Sequence, residues 1–293
     1  MKDVLKIEGL SKSFDGFSLS DVDLVVAEGG VTGFVGSNGA GKTTTLKLAL
    51  GLLFPDAGTI ELFGRQVNPR VLEPSVKERI GVVFDSCPFP AEMRVSDVGR
   101  LGARSMSSWD REKYESLCRR LSIPAAKKIR QLSRGMGMKL QLVFALAHGP
   151  QLLMLDEATA GLDPLARDEV LSLLLNYMES DNHGILISTH ITSDLEKIAD
   201  HVACIDGGRL VFTKAVEEIC DISGIAHCRD AELRNVTDAG LFAQGSLRVL
   251  DRGSCADVLV PDLVEFARMF PDIPCDRATI DEYMVLSLRG ERR

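Results

Sequence analysis

The sequence predicts an α/β fold, in which a parallel core sheet is flanked by helices, preceded by an antiparallel β layer and followed by a small α+β domain. From Val31 to Thr189, apolar strand-like runs alternate with helical stretches, and that alternation is typical of a parallel sheet with crossover helices. Before Gly30 the apolar residues recur at every second position, and after Asp200 short strand-like runs return. These changes of period divide the chain into successive regions.

The N-terminal region has the pattern of half-buried strands. Its apolar residues alternate with polar ones at Leu5, Ile7, Leu19, Val22, Leu24 and Val26. A period of two places one face of a strand on the core and the other toward solvent. Gly29-Gly30 ends this region, so the sequence predicts an antiparallel edge layer before the parallel sheet.

The parallel core is predicted from apolar runs of two kinds. The short runs, which we assign to strands, are VTGFVG, RIGVVF, QLLMLD and GILIST. The runs assigned to helices are TTTLKLALGLL, KLQLVFALAH and EVLSLLLNYM. Because strands and helices follow one another along the chain, we expect the strands to lie parallel.

The segment after Asp200 closes a first domain and opens a second. HVACIDGGRLVFTK is typical of two strands joined at Gly207-Gly208, as in a hairpin. Beyond it, SLRVLDRGSCADVLV predicts two short strands, DLVEFARMF predicts a helix, and Thr279 with Glu282 forms a capping box before a last helix. We therefore predict an N-terminal domain at residues 1–215 and an accessory domain at residues 216–293.

The composition argues against several classes of protein. Of 293 residues, 34 are Lys or Arg and 42 are Asp or Glu, which gives a net charge of −8 and no excess of basic residues for nucleic acid. The 7 cysteines are scattered and never spaced as CxxC, so we expect neither a disulfide framework nor a zinc site. The N-terminus has no apolar signal segment, and no apolar run has the length of a membrane span. We expect a cytosolic chain without a nucleic-acid partner.

A glycine-rich motif between the first core strand and its helix matches the pattern GxxxxGK[ST]. Its residues are Gly36, Ser37, Asn38, Gly39, Ala40, Gly41, Lys42 and Thr43. Glycines permit the backbone torsions that turn N–H groups toward phosphate oxygens, and the helix that starts near Lys42 adds its positive end. We expect Lys42 to bridge the β- and γ-phosphates of a bound nucleotide, Thr43 to bind Mg²⁺, and Thr44 to add a hydroxyl to the phosphate site. An ordinary glycine-rich turn is the alternative.

Two adjacent carboxylates follow a buried strand run, because QLLMLD ends in Asp156 and Glu157 comes next. An Asp at the carboxyl end of a central strand lies over the crevice where α/β sheets bind ligands, so Asp156 is a candidate Mg²⁺ ligand. Glu157 is a candidate general base for an attacking water. Paired acids after a strand also begin ordinary solvated loops, but the phosphate loop upstream favours the catalytic interpretation.

A short motif upstream of this strand, Leu132-Ser133-Arg134-Gly135-Met136, resembles the LSGGQ signature of ABC ATPases. Further motifs of that family follow in the family's order: Asp156-Glu157, then Ala160-Gly161-Leu162-Asp163 as the D-loop, then Ser188-Thr189-His190 with the switch histidine. The resemblance covers residues 1 to about 215. It implies the ABC-type ATPase domain of the P-loop NTPase fold, with its helical subdomain.

Three segments are similar in sequence to those of ATP-binding subunits of bacterial ABC-2-type exporters, including the branch that resembles antibiotic and bacteriocin resistance transporters. They are IGVVFDS, LSRGMGMKLQL and STHITSDLEKIAD. That resemblance implies an ATP-hydrolysing subunit on the inner face of the cell membrane, with separate membrane permease subunits and transport in the export direction. It also implies a head-to-tail pair with a second ATPase subunit, in a homo- or heterodimer. In such a pair, Ser133 and Gly135 would contact the ATP bound by the partner subunit, since a helix N-terminus stabilises an anion.

The resemblance assigns two further residues. Phe14 occupies the place of the aromatic side chain that stacks on adenine, and a surface or core phenylalanine is the alternative. His190 would bridge Glu157 and the γ-phosphate, and a structural histidine is the alternative.

The sequence departs from the family pattern at several positions. Asp85 stands where the family usually has the Q-loop glutamine, and we expect it to offer Mg²⁺ an acidic contact. Arg134 replaces the first glycine of the signature, Met136 replaces its glutamine, and Ala158 replaces the proline after the base. None of these changes removes the lysine, the metal carboxylate, the base or the histidine, so we predict a competent hydrolase.

Other functions remain as hypotheses beside transport. A soluble ABC-type ATPase acting on DNA or ribosomes would carry a coiled-coil insertion, tandem ATPase domains or a basic face, and none of these appears in the sequence. A P-loop GTPase or small-molecule kinase would carry a base-reading motif or a lid, and it would have no reason to carry the signature, the D-loop and Ser188-Thr189-His190 together. A regulatory subunit that does not hydrolyse ATP is a third hypothesis, because of Asp85. The segment from Asp85 to about Trp109 is a candidate docking region for the membrane subunits, or a plain surface subdomain.

Overall fold

The computed structural model describes residues 2–68, 71–180, 182–239 and 247–292. The chain divides into two compact units. The first comprises Met1–Ile191 with Ile205–Leu210, and the second comprises Thr192–Cys204 with Val211–Arg293.

The secondary-structure elements begin with those of the first unit. They are β1 (Asp3–Phe14), β2 (Phe17–Ala27), β3 (Val31–Val35), α1 (Lys42–Ala49), β4 (Ala57–Leu62), β5 (Arg65–Gln66), α2 (Pro74–Lys77), β6 (Ile80–Val83), α3 (Val95–Ser105), α4 (Arg111–Arg120), a 3₁₀ turn (Ile129–Gln131), α5 (Arg134–Ala147), β7 (Leu152–Asp156), α6 (Pro164–Tyr177) and β8 (Gly184–Ser188). The later elements are α7 (Thr192–Ile198), β9 (His201–Asp206), β10 (Arg209–Ala215), a π-helical turn (Glu218–Ile222), β11 (Gly224–Cys228), α8 (Asp230–Asp238), β12 (Arg248–Asp251), β13 (Ala256–Val260), α9 (Leu263–Met269), β14 (Cys275–Arg277), α10 (Ile280–Arg289) and β15 (Glu291–Arg292).

The antiparallel layer at the N-terminus is confirmed. β1 pairs with β2 in antiparallel register, with Ile7 opposite Leu24, and β4 and β5 extend the sheet in the order β2-β1-β4-β5. Leu5 and Ile7 of β1 are fully buried, as their alternation with polar neighbours predicts. Strands β4 and β5 were not predicted from the sequence.

The parallel core is confirmed as well. β3, β8, β7 and β6 lie side by side in that order, and every pair is parallel. All residues of β3, β7 and β8 are buried, which is why these strands are continuous apolar runs. Asp156, the last residue of β7, is in register with Ser188, the last residue of β8. The carboxyl ends of the strands therefore bring polar side chains together at one edge of the sheet.

Helices α3, α4 and α5 confirm the predicted helical subdomain. α3 approaches its neighbours closely at two glycines, because a Cβ atom on Gly99 would lie 2.6 Å from the Tyr114 ring and one on Gly102 would lie 2.3 Å from the Trp109 ring. The Tyr114 hydroxyl donates a hydrogen bond to the backbone oxygen of Val95 at 2.7 Å. The missing side chains of the two glycines thus permit the packing of α3 on aromatic residues.

The second unit contains an antiparallel sheet with the order β14-β11-β13-β12-β15. Its elements β11, α8, β12, β13, α9 and β14 follow the order βαββαβ, and this arrangement is that of a ferredoxin-like split βαβ fold. The predicted strands β12 and β13, helix α9, and the Thr279 cap of α10 are all present. β11, α8 and β14 were not predicted from the sequence.

The hairpin predicted at Gly207-Gly208 is present, since β9 and β10 are hydrogen-bonded neighbours on either side of these glycines. Both glycines have positive φ, of 50° and 77°, as a tight turn between strands requires. None of the helices in the described part of the chain combines the length and the apolar character of a membrane span.

Candidate active site

The phosphate loop connects β3 to α1 and is shaped by glycines. A Cβ atom on Gly36 would lie 2.1 Å from the backbone oxygen of Ile205, so a side chain is excluded there. Gly41 has φ of 118° and caps α1, and a Cβ atom on it would lie 2.9 Å from Leu19. The loop thus forms a cradle whose backbone can approach a ligand closely.

Lys42 begins α1, as predicted, and its side chain is buried. Its Nζ donates hydrogen bonds to the backbone oxygens of Gly36 at 2.7 Å and Ser37 at 3.2 Å. The ammonium is therefore held over the loop, at the positive end of a helix. A buried cation in this position can bind a phosphate group.

Thr43 and Asp156 bring hard oxygen atoms together at the end of β7. The Thr43 hydroxyl donates to both carboxylate oxygens of Asp156, at 2.8 and 3.1 Å, and Ser188 Oγ donates to the same carboxylate at 3.1 Å. These oxygens are the ligands that Mg²⁺ prefers. In the described parts of the chain, no three His, Cys, Asp or Glu side chains are placed around a metal. The residues fit Mg²⁺ bound together with ATP.

Glu157 adopts an unusual backbone conformation directly after β7. Its φ is 54°, a left-handed value that costs a non-glycine residue free energy and recurs at functional sites. Its backbone N–H donates to the Ser188 oxygen at 2.8 Å. The carboxylate lies 3.9 Å from Lys42 Nζ and 2.7 Å from His190 Nδ1. In this conformation the carboxylate lies between the phosphate-loop lysine and the histidine.

A pocket is formed at the phosphate loop by Phe17, Asn38, Gly39, Ala40, Gly41, Lys42, Thr43, Thr44 and Glu157. The predicted loop residues and the predicted base thus line one cavity. Phe17 also lines it and was missed by the sequence analysis. Phe14, the predicted adenine contact, is 41% exposed, and its ring centroid lies 6.3 Å from that of Phe17.

The signature residues lie at the N-terminus of α5. Ser133 is the N-cap, and its hydroxyl oxygen accepts a hydrogen bond from the Met136 N–H at 3.2 Å. The exposed hydroxyl retains its proton for donation to an anion. Ser133 lines a second pocket, with Asp85, Arg134 and Gln141 among its other residues. None of the signature residues is among the described residues that line the phosphate-loop pocket.

The structure brings most of the predicted site residues together. Thr43 contacts Asp156, and Glu157 contacts both Lys42 and His190. Ser188 links the two groups, since its Oγ donates to Asp156 and its backbone oxygen accepts from the Glu157 N–H. Asp85 instead accepts a hydrogen bond from Arg134 at 2.6 Å, and its role as a Mg²⁺ ligand stays a prediction.

Phe17 was not predicted as a site residue, and Ser188 was named in a motif without a role of its own, although the sequence contains a signal for each. Asp15-Gly16 is a two-residue turn signal, so it places Phe17 beside Phe14 on the opposite strand. Ser188 ends GILIS as Asp156 ends LLMLD, and neighbouring parallel strands would align the two residues.

Comparison with known proteins identifies the family. A family profile described as "ABC transporter" matches residues 19–160. The chain is 33% identical over 211 residues to the bacitracin transport ATP-binding protein BcrA of Bacillus licheniformis, which covers 71% of this chain and 67% of that protein. It is 35% identical over 224 residues to the Nod factor export ATP-binding protein I of Cupriavidus pinatubonensis (strain JMP 134 / LMG 1197), which covers 74% of this chain and 68% of that protein.

A solved structure described as an ATP-binding subunit of an ABC transporter is similar to this chain with a TM-score of 0.66. It is 27% identical and covers 74% of this chain and 91% of its own. The α/β fold class and the resemblance stated from the sequence are both confirmed by these relatives. The chain therefore belongs to the ABC transporter family and is an ATP-binding and ATP-hydrolysing subunit of such a transporter.

Proposed function

We propose that this chain couples ATP-driven pairing of two ATPase subunits to export of a substrate through separate membrane subunits. The observation that carries the proposal is the convergence of Lys42, Thr43, Asp156, Glu157 and His190 on one end of the sheet. Relatives whose names state bacitracin transport and Nod factor export support transport in the export direction.

In the proposed reaction each residue has a separate task. Lys42 binds the β- and γ-phosphates, because its buried ammonium is already directed at the loop. Glu157 accepts a proton from the attacking water, and His190 holds the Glu157 carboxylate through its Nδ1 atom. Thr43 and Asp156 would hold Mg²⁺, which supplies positive charge against the phosphate oxygens when bound with ATP.

The need for a second subunit follows from where the anion-binding groups lie. The phosphate-loop pocket includes Lys42 and Glu157, but Ser133 and Gly135 are absent from its described lining. Ser133 offers an exposed hydroxyl and a helix N-terminus elsewhere on the chain. We infer that these groups bind the γ-phosphate of ATP held by a second ATPase subunit, in a homo- or heterodimer. ATP would then hold two subunits together, and hydrolysis would release them.

The remaining assignments belong to the same proposal. Residues 1–215 form the ATPase domain and residues 216–293 an accessory domain. Phe14 stacks on adenine, and the segment from Asp85 to Trp109 docks on the permease subunits. The chain works on the inner face of the cell membrane.

Glu157→Gln tests the proposal directly. The amide keeps the size of the side chain but cannot take a proton, so we expect ATP turnover to fall by about 10²-fold or more while ATP binding persists. Pairing should persist too and should become stable in the presence of ATP and Mg²⁺, as measured by analytical ultracentrifugation. Unchanged turnover would remove Glu157 from its role.

Copurification tests the partner. We expect the full chain, expressed in its own cells, to copurify with a polytopic membrane protein. Recovery with ribosomes or DNA instead would favour a soluble ABC-type ATPase and contradict the transport function.

A further inference from the structure

Two departures from the family's sequence pattern contact each other in this chain. Asp85 follows β6 by two residues, and Arg134 is the first residue of α5. An Arg134 Nη atom donates to Asp85 Oδ1 at 2.6 Å, and both side chains are 57% exposed. The acidic residue at one of these positions and the basic residue at the other therefore form one ion pair, Asp85–Arg134.

Helix α5 does not need this ion pair to be held in place. Gln141, in the middle of α5, is buried, and its side-chain amide makes two hydrogen bonds of 3.1 Å with the backbone N–H and oxygen of Phe84. The helix is thus already tied to the segment that contains Asp85. An exposed ion pair at the helix tip adds little to stability.

The position of Arg134 is electrostatically unfavourable without a counter-charge. A cation in the first turn of a helix opposes the helix dipole, and Arg134 follows the N-cap Ser133 directly. The guanidinium also lies close to the D-loop, since a Cβ atom on Gly161 would be 3.2 Å from Arg134 Nη1. Arg134 thus places a positive charge at the pocket that Ser133 also lines, and Asp85 neutralises it.

We propose that Asp85 is a latch on Arg134, which holds the guanidinium within the subunit until the terminal phosphate of ATP bound by the second subunit competes for it. This inference rests on the proposed function, because it requires the first turn of α5 to face the other subunit's nucleotide. A carboxylate and a phosphate both bind guanidinium through the same N–H groups. Arg134 therefore exchanges one anion for the other when the ATP-bound pair forms.

If Asp85 and the phosphate compete for Arg134, substitutions of Asp85 and of Arg134 should change the ATP concentration needed for pairing in opposite directions. Asp85→Asn releases Arg134, so less ATP is needed for pairing. Arg134→Gln removes the phosphate contact, so more ATP is needed. If the ion pair only stabilised the fold, both substitutions would shift the ATP requirement in the same direction.

The experiment measures the ATP concentration that gives half-maximal pairing, by analytical ultracentrifugation of the full chain with Mg²⁺ in the Glu157→Gln background. We expect Asp85→Asn to lower that concentration roughly two- to fivefold, the range of an exposed ion pair. We expect Arg134→Gln to raise it about tenfold or more, as for a lost charge-assisted hydrogen bond, and Arg134→Lys to raise it less. The double variant should match Arg134→Gln, because Asp85 has nothing to restrain once Arg134 is gone.

Arg111 and Glu115 provide the matched control, since they form an exposed ion pair of 2.8 Å on α4. Glu115→Gln and Arg111→Gln should leave the half-maximal concentration unchanged. Shifts of Asp85→Asn and Arg134→Gln in the same direction, or no shift for either, would overturn the latch alone. Absence of ATP-dependent pairing in Glu157→Gln itself would overturn the proposed function and the latch with it.

Discussion

His190 Nδ1 lies 2.7 Å from a carboxylate oxygen of Glu157, although the two residues are 33 positions apart in the chain. The contact is made because β7 and β8 are neighbouring parallel strands, and each residue follows the end of its strand. The histidine is exposed while the glutamate is largely covered, with 57% and 16% of their side chains exposed. The proposed base, Glu157, is therefore contacted from its solvent side.

The first prediction concerns this contact. His190→Ala should lower turnover by about 10²-fold or more, since the base loses the group that orients it. His190→Asn should recover part of the activity, because an amide nitrogen near the Nδ1 position can still bond Glu157. ATP binding, measured by calorimetry, should change little in both variants. Equal turnover in wild type and His190→Ala would show that the contact has no role in the reaction.

The second prediction concerns the metal ligands. Thr43→Val keeps the shape of the side chain but removes the hydroxyl that contacts Asp156, so the Mg²⁺ concentration for half-maximal ATP turnover should rise roughly 10-fold or more. Thr43→Ser retains the hydroxyl and serves as the control. The result that contradicts this assignment is the same Mg²⁺ dependence in Thr43→Val and Thr43→Ser.

The third prediction compares two glycines of the phosphate loop. Gly36→Ala places a Cβ atom 2.1 Å from the Ile205 oxygen, and the required backbone shift should lower the free energy of unfolding by about 3 kcal/mol or more. Gly39 has φ of 81°, and a Cβ atom added to it would have no neighbour within 4 Å. Gly39→Ala should therefore lower the free energy of unfolding only by the strain of a left-handed backbone, about 1–2 kcal/mol. Urea unfolding of both variants measures the difference. Equal losses would contradict the steric account of Gly36.

The fourth prediction concerns pH. Burial lowers the pKa of His148 below its ordinary 6.5, and its Nε2 lies 3.2 Å from the Ile80 oxygen. Because the unfolded chain then binds a proton more readily than the folded chain, the stability contribution is present above about pH 6.5 and is lost as the pH falls. The difference in unfolding free energy between wild type and His148→Gln should therefore shrink between pH 7.5 and 5.5, as about one proton is involved. A difference independent of pH would refute this effect of burial.

The contiguous parts of the site could be predicted from the sequence. The phosphate loop and the Asp156-Glu157 pair each depend on neighbouring residues and on the strand or helix beside them. Local patterns of this kind follow from backbone torsions and helix ends. For the same reason the N-terminal layer and the parallel core were predicted correctly.

Contacts between distant residues could not be predicted in the same way. Asp85 and Arg134 are 49 positions apart, and each was noted as a departure from the family pattern without any sign that they meet. In the second unit, β11 lies between β14 and β13. The alternation of apolar residues along each strand does not indicate this strand order. Such relationships depend on strand order and packing and not on local period.

The most direct test of the central claim is an experimental structure of the Glu157→Gln pair with ATP and Mg²⁺. We predict that Lys42 of one subunit and Ser133 of the other contact the same terminal phosphate. A pair in which that phosphate contacts Lys42 but the Ser133 side chains of both subunits lie elsewhere would contradict the account.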